Sequence, residues 1–314
     1  TVEYAYNAYC VAKIAQLQNK PDIYSSMISK AQYYKNLFNP NNTFIQPKEN
    51  GRFILDFNPT QIDQNYTEGN GWHYTFYAPS DINTLIDIMG GDNEFCRKLD
   101  SCFFTNEKTT GRNQADVTGL IGQYCHGNEP SQHTAYLYAY SGQAYKTQEL
   151  VRQILTTLYS TKPEGICGND DAGQMSAWYV MSAMGFYPVC PVDNQYVVAS
   201  PLFEKITIHL ENGKDFVIEA PNAEKTPYVK AIKLNGKDHN KSFLNYEDVK
   251  DGGKIQFTMS QTAVKDFAKA KEDRPFSKIE KDLICVVPYV SYEGTGTFTK
   301  NIEVNFSAFN PQDT

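Results

Sequence analysis

The chain has 314 residues, a net charge of −7 and a composition that is 41% hydrophobic and 21% charged, which is globular and long enough for two domains or one large one. It has no basic run, zinc spacing or Gly-rich phosphate loop, which argues against a nucleic-acid partner. No apolar run is long enough to span a bilayer, and the scattered cysteines, with no Cys-x-x-Cys pair, are read as buried free thiols.

The chain opens at Thr1 already inside an amphipathic helix pattern: Tyr4, Ala8, Val11, Ala12 and Ala15 keep a 3–4 spacing, and Pro21 closes the element. The expectation is a fragment of a longer precursor. Residues 22–38 repeat the pattern with Ile23, Met27, Ala31, Tyr34 and Phe38, and Asn39-Pro40 stops it. Ser80 is read as the N-cap of a helix over residues 82–89, with Gly90 and Gly91 as its stop. Residues 93–104 carry Phe95, Leu99 and Phe103 on one face, and further helices are expected over 131–140, 144–159 and 173–184. The intervening loops, 41–79, 105–130 and 160–172, are long and aromatic-rich, which is where sites usually lie.

After about residue 195 the period changes from 3.6 to 2. Ile206, Ile208 and Leu210 alternate with polar residues, Asn212-Gly213 and Asn235-Gly236 are hairpin signals, and residues 254–259 form a further strand. The charged segment 263–278 reads as a linker or surface helix, and 283–306 is strand-like again. The expected fold class is a mainly α-helical catalytic portion over 1–195, followed by a small antiparallel β module over 196–275. A β-strand tail over 276–314 would be part of a further small domain.

Three loop segments concentrate polar chemistry. In YTEGNGWHYTFYAP, Glu68 is followed by Trp72 and His73. The two glycines weaken any helix, so Glu68 is either a solvated turn residue or a carboxylate displayed beside an aromatic wall, which raises a carboxyl pKa and suits general acid work. In QYCHGNEPSQH, Asn128, Glu129 and Gln132, beside His126, bring the amide and carboxylate oxygens that a hard cation such as calcium takes, although Asn128 also reads as a turn and Ser131 as a helix N-cap. In GNDDAGQMSAW, Asp170 and Asp171 stand where a loop becomes an apolar helix; one caps it, or one is a catalytic base. Glu68 and Asp171 are thus a candidate acid and base pair for glycoside hydrolysis. The supply of 22 Tyr and 18 Phe suits rings that stack on sugar C–H faces, and equally suits ordinary cores.

Taken together, YTEGNGWHYTFYAP, GLIGQYCHGNEPSQHTAYLY and GNDDAGQMSAWYVMSAMGFYPV resemble glycoside hydrolase family 92, the calcium-dependent exo-acting α-mannosidases, with likeness over roughly residues 1–275. The resemblance implies an (α/α)6 toroid preceded by a β-sandwich, and inverting hydrolysis of terminal α-linked mannose from glycans. It implies Glu68 as general acid, Asp171 as general base and Asp170 in support. Ca2+ would lie near Asn128, Glu129 and Gln132, while Trp72, His73, His126 and Glu129 would shape the mannose subsite. Gln132 departs from the histidine expected there but still offers an oxygen. The family's N-terminal β-sandwich lies outside this chain, so low activity is expected of the polypeptide alone. Family members are mostly exported bacterial enzymes, periplasmic or at the cell surface. The alternatives are a non-catalytic carbohydrate-binding or scaffold fragment and another (α/α)6 glycosidase.

Overall fold

The computed structural model of the chain describes residues 1–292 and 298–309. The parts of the expected tail at 293–297 and 310–314 lie outside the described residues. The longer helices all precede Gly185 and the longer strands all follow it. The chain divides into two compact units, Thr1–Ala78 with Thr109–Asn113 and Ile279–Thr314, and Pro79–Lys108 with Gln114–Lys278.

In the first unit, α1 (Val2–Leu17) buries Ala5, Ala8, Tyr9, Ala12 and Ala15 and packs on α2 (Pro21–Lys30). The alanine ridge lets two backbones approach closely, so Tyr4 and Val11, expected on the inner face, stay outside. Pro21 opens α2 rather than closing α1, because a first-turn residue needs no N–H. The helix expected to run to Phe38 ends at Lys30, and a 3-10 turn, Tyr33–Leu37, follows. Amides of this stretch hold the chain's end instead: Gln32 Nε2 donates to the Asp282 carbonyl at 2.9 Å and Val287 N–H to Asn36 Oδ1 at 2.9 Å. The tail contributes Tyr289–Ser291, paired antiparallel with Asn305–Ser307, and lays Tyr289 on Phe53.

The second unit is built round Thr134–Ser141, a 3-10 segment every residue of which is buried. The helices α4 (Ile82–Ile88) and α5 (Asp92–Phe104) pack on it, as does α7 (Ala144–Thr157). It stands where an α-helix over 131–140 was expected. Asp81, not Ser80, occupies the cap position before α4. Segment 263–278 is neither linker nor α-helix. It is stitched down by an Arg274–Asp92 ion pair at 2.7 Å and by Ser277 Oγ donating to the Pro79 carbonyl at 2.8 Å.

At the second predicted hairpin both turn residues adopt the left-handed backbone, with Asn235 and Gly236 at φ +50° and +81°, whereas at the first only Gly213 does, at +77°. The main sheet has the order Lys205–His209, Asp215–Glu219, Gly253–Ser260, Tyr228–Leu234, Lys237–Asp238. It is not wholly antiparallel: Asp215–Glu219 runs parallel to Gly253–Ser260. The chain between them detours through Phe243–Asn245 in a separate three-stranded sheet, long enough to return in the same direction. Helix α7 grips this layer through Gln148 Oε1, which accepts Val229 N–H at 3.0 Å, and through Arg152, which donates to the Ala223 carbonyl at 2.9 Å.

Candidate active site

Glu68, Trp72 and His73 belong to the first unit. Helix α3 (Gly71–Thr75) is capped by Asn70, whose Oδ1 accepts from Trp72 N–H at 3.0 Å and His73 N–H at 3.3 Å, while Asn70 N–H donates back to His73 Nδ1 at 3.2 Å. His73 is therefore a capping residue with an unprotonated Nδ1. The flanking glycines are steric necessities. A Cβ on Gly69 would lie 2.6 Å from His73 Nδ1, and one on Gly71 2.8 Å from the Phe57 ring. Trp72 packs edge-on to Phe44, at 4.8 Å between centroids. Glu68, half-buried, leads into this cap, and Arg112 holds the preceding turn by donating to the Thr67 carbonyl at 2.9 Å.

The other named residues lie in the second unit, which brings them together. A hairpin of Leu120–Ile121 and Tyr124–Cys125 turns through Gly122 and delivers His126 into the interior, fully buried. Tyr124 Oη and His126 Nδ1 are 2.7 Å apart, as are His126 Nε2 and Tyr159 Oη, and Tyr159 donates onward to the Met175 carbonyl at 3.1 Å. That last bond sets the direction of the chain. Tyr159 spends its proton on a carbonyl, so it accepts from Nε2–H, and Nδ1 accepts from Tyr124. Burial keeps the imidazole neutral, its pKa pushed down to about 3. The same burial pushes the Tyr159 hydroxyl up, with Cys167, Tyr187 and Asp170 adding to it.

Asn128 caps the four-residue helix α6 (Glu129–Gln132), its Oδ1 accepting Glu129 N–H at 3.1 Å; Ser131 is not the cap. Gln132 is buried and committed. Its Nε2 donates to the His126 carbonyl at 3.3 Å and lies 3.1 Å from Met175 Sδ, and its Oε1 accepts from Gln174 at 3.0 Å. Its carbonyl also takes Trp178 Nε1–H at 3.1 Å. Gln174 reaches Tyr187 Oη at 3.0 Å. Burial raises the Tyr187 pKa, and the charge of Glu129 adds to the rise.

Asp170 and Asp171 part company. Asp170 closes the start of α8 (Gln174–Met184), accepting Ser176 N–H at 2.8 Å and Ser176 Oγ–H at 2.9 Å. Asp171 is exposed, and among the described residues no hydrogen bond is made to its carboxylate. It begins three consecutive left-handed residues, with φ of +38° at Asp171, +58° at Ala172 and +88° at Gly173. The loop before them presses on the second motif: a Cβ on Gly168 would lie 2.6 Å from the Gly127 carbonyl oxygen. The sequence reading missed Tyr124, Tyr159, Gln174, Trp178 and Tyr187. Their signal was the density of Tyr, Trp and amide residues around the three motifs.

As a calcium cage, Asn128, Glu129 and Gln132 do not fit. They offer one, two and one side-chain oxygens, short of the roughly six to eight that calcium takes. The Asn128 and Gln132 oxygens already accept hydrogen bonds within the protein. Among the described residues no group of three or more His, Cys, Asp and Glu side chains is arranged to hold a metal.

Residues 1–261 match the family model described as the glycosyl hydrolase family 92 catalytic domain. The chain belongs to glycosyl hydrolase family 92. Among family 92 structures it is similar to an α-mannosidase of Bacteroides thetaiotaomicron, with 37% identity and a TM-score of 0.81 over 88% of this chain and 36% of that one. The same enzyme in complex with mannoimidazole gives 36% identity and a TM-score of 0.82 over 88% and 38%. An inverting mannosidase from that bacterium gives 37% and 0.78 over 88% and 39%. A curated relative from Arthroderma benhamiae, named an uncharacterized secreted glycosidase, is 27% identical over 290 residues, 83% of this chain and 35% of its own length. The chain thus spans between 35% and 39% of these family 92 relatives. Among the described residues no helix is long and apolar enough to cross a membrane.

Proposed function

We propose that this chain carries catalytic residues of an exo-acting α-mannosidase that removes terminal α-linked mannose from glycans with inversion. The observation that carries the reading is the division between the two adjacent carboxylates. Asp170 is tied to the helix, while Asp171 is exposed and left without a hydrogen-bonded partner, as a base that must take a proton from water requires. Glu68, presented beside the rigid Asn70–His73 cap, is the proposed acid.

In the reaction, the Glu68 carboxyl gives its proton to the glycosidic oxygen as the bond from that oxygen to the anomeric carbon breaks. A water attacks the anomeric carbon from the opposite face, and its proton passes to the Asp171 carboxylate. The product is the β-anomer. Trp72, His73, His126 and Glu129 are proposed to shape the mannose subsite. Two of them act through other residues: His73 fixes the cap, and His126 fixes Tyr159 and the start of α8. The (α/α)6 toroid, the family's calcium requirement and export to a bacterial periplasm or surface rest on family membership. The boundaries at 195 and 275 remain a proposal.

The deciding experiment is incubation with α-1,2-mannobiose, with and without the N-terminal part of a family 92 relative supplied as a separate polypeptide, followed by proton NMR. Initial release of β-mannose is expected, and release of α-mannose would overturn the inverting assignment. A second reading, sugar binding without turnover, is favoured by the chain spanning 35% to 39% of its relatives. Calorimetric binding of mannose with no hydrolysis, even with the complementing part present, would support it.

A further inference from the structure

A cavity of about 520 Å³ lies beside α8, within the second unit, and shares only Tyr159 with the cluster around His126. One wall is the turn that follows Tyr159, closed by Ser160 N–H donating to the Gly165 carbonyl at 2.9 Å and by the Tyr159–Ile166 bridge. The other wall is α8, which presents Ser176, Tyr179 and Val180. Val180 is 55% exposed, an apolar floor open to solvent.

Three features restrict what the cavity takes. None of its lining residues is charged, so it offers nothing to a phosphate, a carboxylate or an amine. It is amphipathic: the Tyr159 and Tyr179 rings, 4.9 Å apart at 50°, adjoin the hydroxyls of Ser160, Thr161 and Ser176. The aromatic wall is also rigid, because Tyr159 is parallel to Trp178 within 1° and its hydroxyl is fixed between His126 and Met175. Flat rings with hydroxyl neighbours and no charge match a neutral pyranose, whose C–H face stacks on aromatics while its hydroxyls exchange hydrogen bonds. The volume lies in the range of small-ligand sites.

We infer that this cavity is a second carbohydrate site, holding a neutral pyranoside of the same glycan at a place where no bond is cleaved. The choice of mannose as its sugar rests on the α-mannosidase reading, whereas the cavity's selection for a neutral pyranoside does not. Its position gives it a use. Ser176 lines the cavity and also donates to Asp170, so an occupant sits one hydrogen bond from the loop that carries Asp171. A branched glycan held here would be retained near the reaction centre between successive cleavages.

The test is a titration of the full chain with methyl α-mannoside and with mannotriose, followed by amide NMR, in the wild type and in Tyr179→Ala, Val180→Trp and Asp171→Asn. Both cavity variants change half-buried or exposed positions, and Val180→Trp fills the cavity without removing a contact. Binding in the millimolar range is expected, with shifts at residues 159–166 and 176–180; Tyr179→Ala and Val180→Trp weaken it by about tenfold or more and Asp171→Asn leaves it unchanged. Absence of shifts at these residues up to the order of 100 mM sugar, or wild-type affinity in both cavity variants, overturns the second site. Binding here with no hydrolysis of α-mannosides would keep the site and remove the mannosidase reading. Hydrolysis with no binding here would do the reverse.

Discussion

Gly127 and Gly168 meet backbone to backbone: a Cβ on Gly168 would lie 2.6 Å from the Gly127 carbonyl oxygen and 2.8 Å from its Cα. Two motifs about forty residues apart in sequence are locked together at a point where neither side chain can exist. Gly168→Ala is expected to cost about 1–3 kcal/mol through overpacking against backbone, which cannot rotate away. Urea unfolding measures it, and an unchanged midpoint would show that the contact yields.

The two aspartates should separate cleanly on mutation. Asp171→Asn is expected to lower turnover by roughly 10²–10⁴-fold with the melting temperature unchanged, because no hydrogen bond to that carboxylate is lost. Asp170→Ala should instead lower stability by about 0.5–2 kcal/mol, since both bonds from Ser176 are lost. Turnover and thermal melts on both variants check the assignment. Full activity in Asp171→Asn would move the base elsewhere.

His126 gives the chain an acid limit. Its folded pKa, about 3, lies below the value near 6.5 of an unfolded histidine, so between these the unfolded chain binds the extra proton. Stability is therefore fully present above about pH 6.5 and falls as pH drops towards 3, by up to a few kcal/mol from this group. His126→Phe should flatten that slope. It should also destabilise at pH 7 by roughly 1–3 kcal/mol for each buried tyrosine hydroxyl left short of a partner. Denaturant melts at pH 4, 5.5 and 7 compare the two proteins; parallel slopes would place the acid sensitivity on other groups.

Gln132 and Glu129 make opposite predictions about calcium. Gln132 Oε1 is held by Gln174, so Gln132→Ala should loosen α8 and lower stability while changing calcium affinity by less than about threefold. Glu129→Gln, which removes the one carboxylate among the three residues, should weaken any calcium binding by about tenfold or more. Calorimetric calcium titrations of both variants decide it. A large loss in Gln132→Ala alone would mean that the amide turns over to meet the metal.

Much of the candidate site was legible because its polar residues crowd into three short stretches with glycines. Gly69, Gly127 and Gly168 are each surrounded so tightly that a methyl group would collide, and such positions announce themselves as Gly beside chemistry-bearing residues. Tyr159 was not legible. It lies 33 residues from His126, and only folding shows that the two share a hydrogen bond. Helix ends were misread at Pro21, Ser80 and residues 131–140, where tertiary burial overrode local preference. The parallel pairing of Asp215–Glu219 with Gly253–Ser260 was hidden for a related reason, since hairpin signals report only neighbours along the chain.

The run of left-handed residues after Asp170 restricts which amino acid can take the place of the proposed base. A left-handed conformation costs most L-residues about 1–2 kcal/mol, and aspartate and asparagine tolerate it because their short side chains reach local backbone groups. Glutamate has the same acid but lacks that tolerance, and its longer side chain would carry the carboxylate further from the loop. At position 171 the backbone therefore disfavours the nearest chemical equivalent, and asparagine is the substitution that keeps this turn while removing the proposed base.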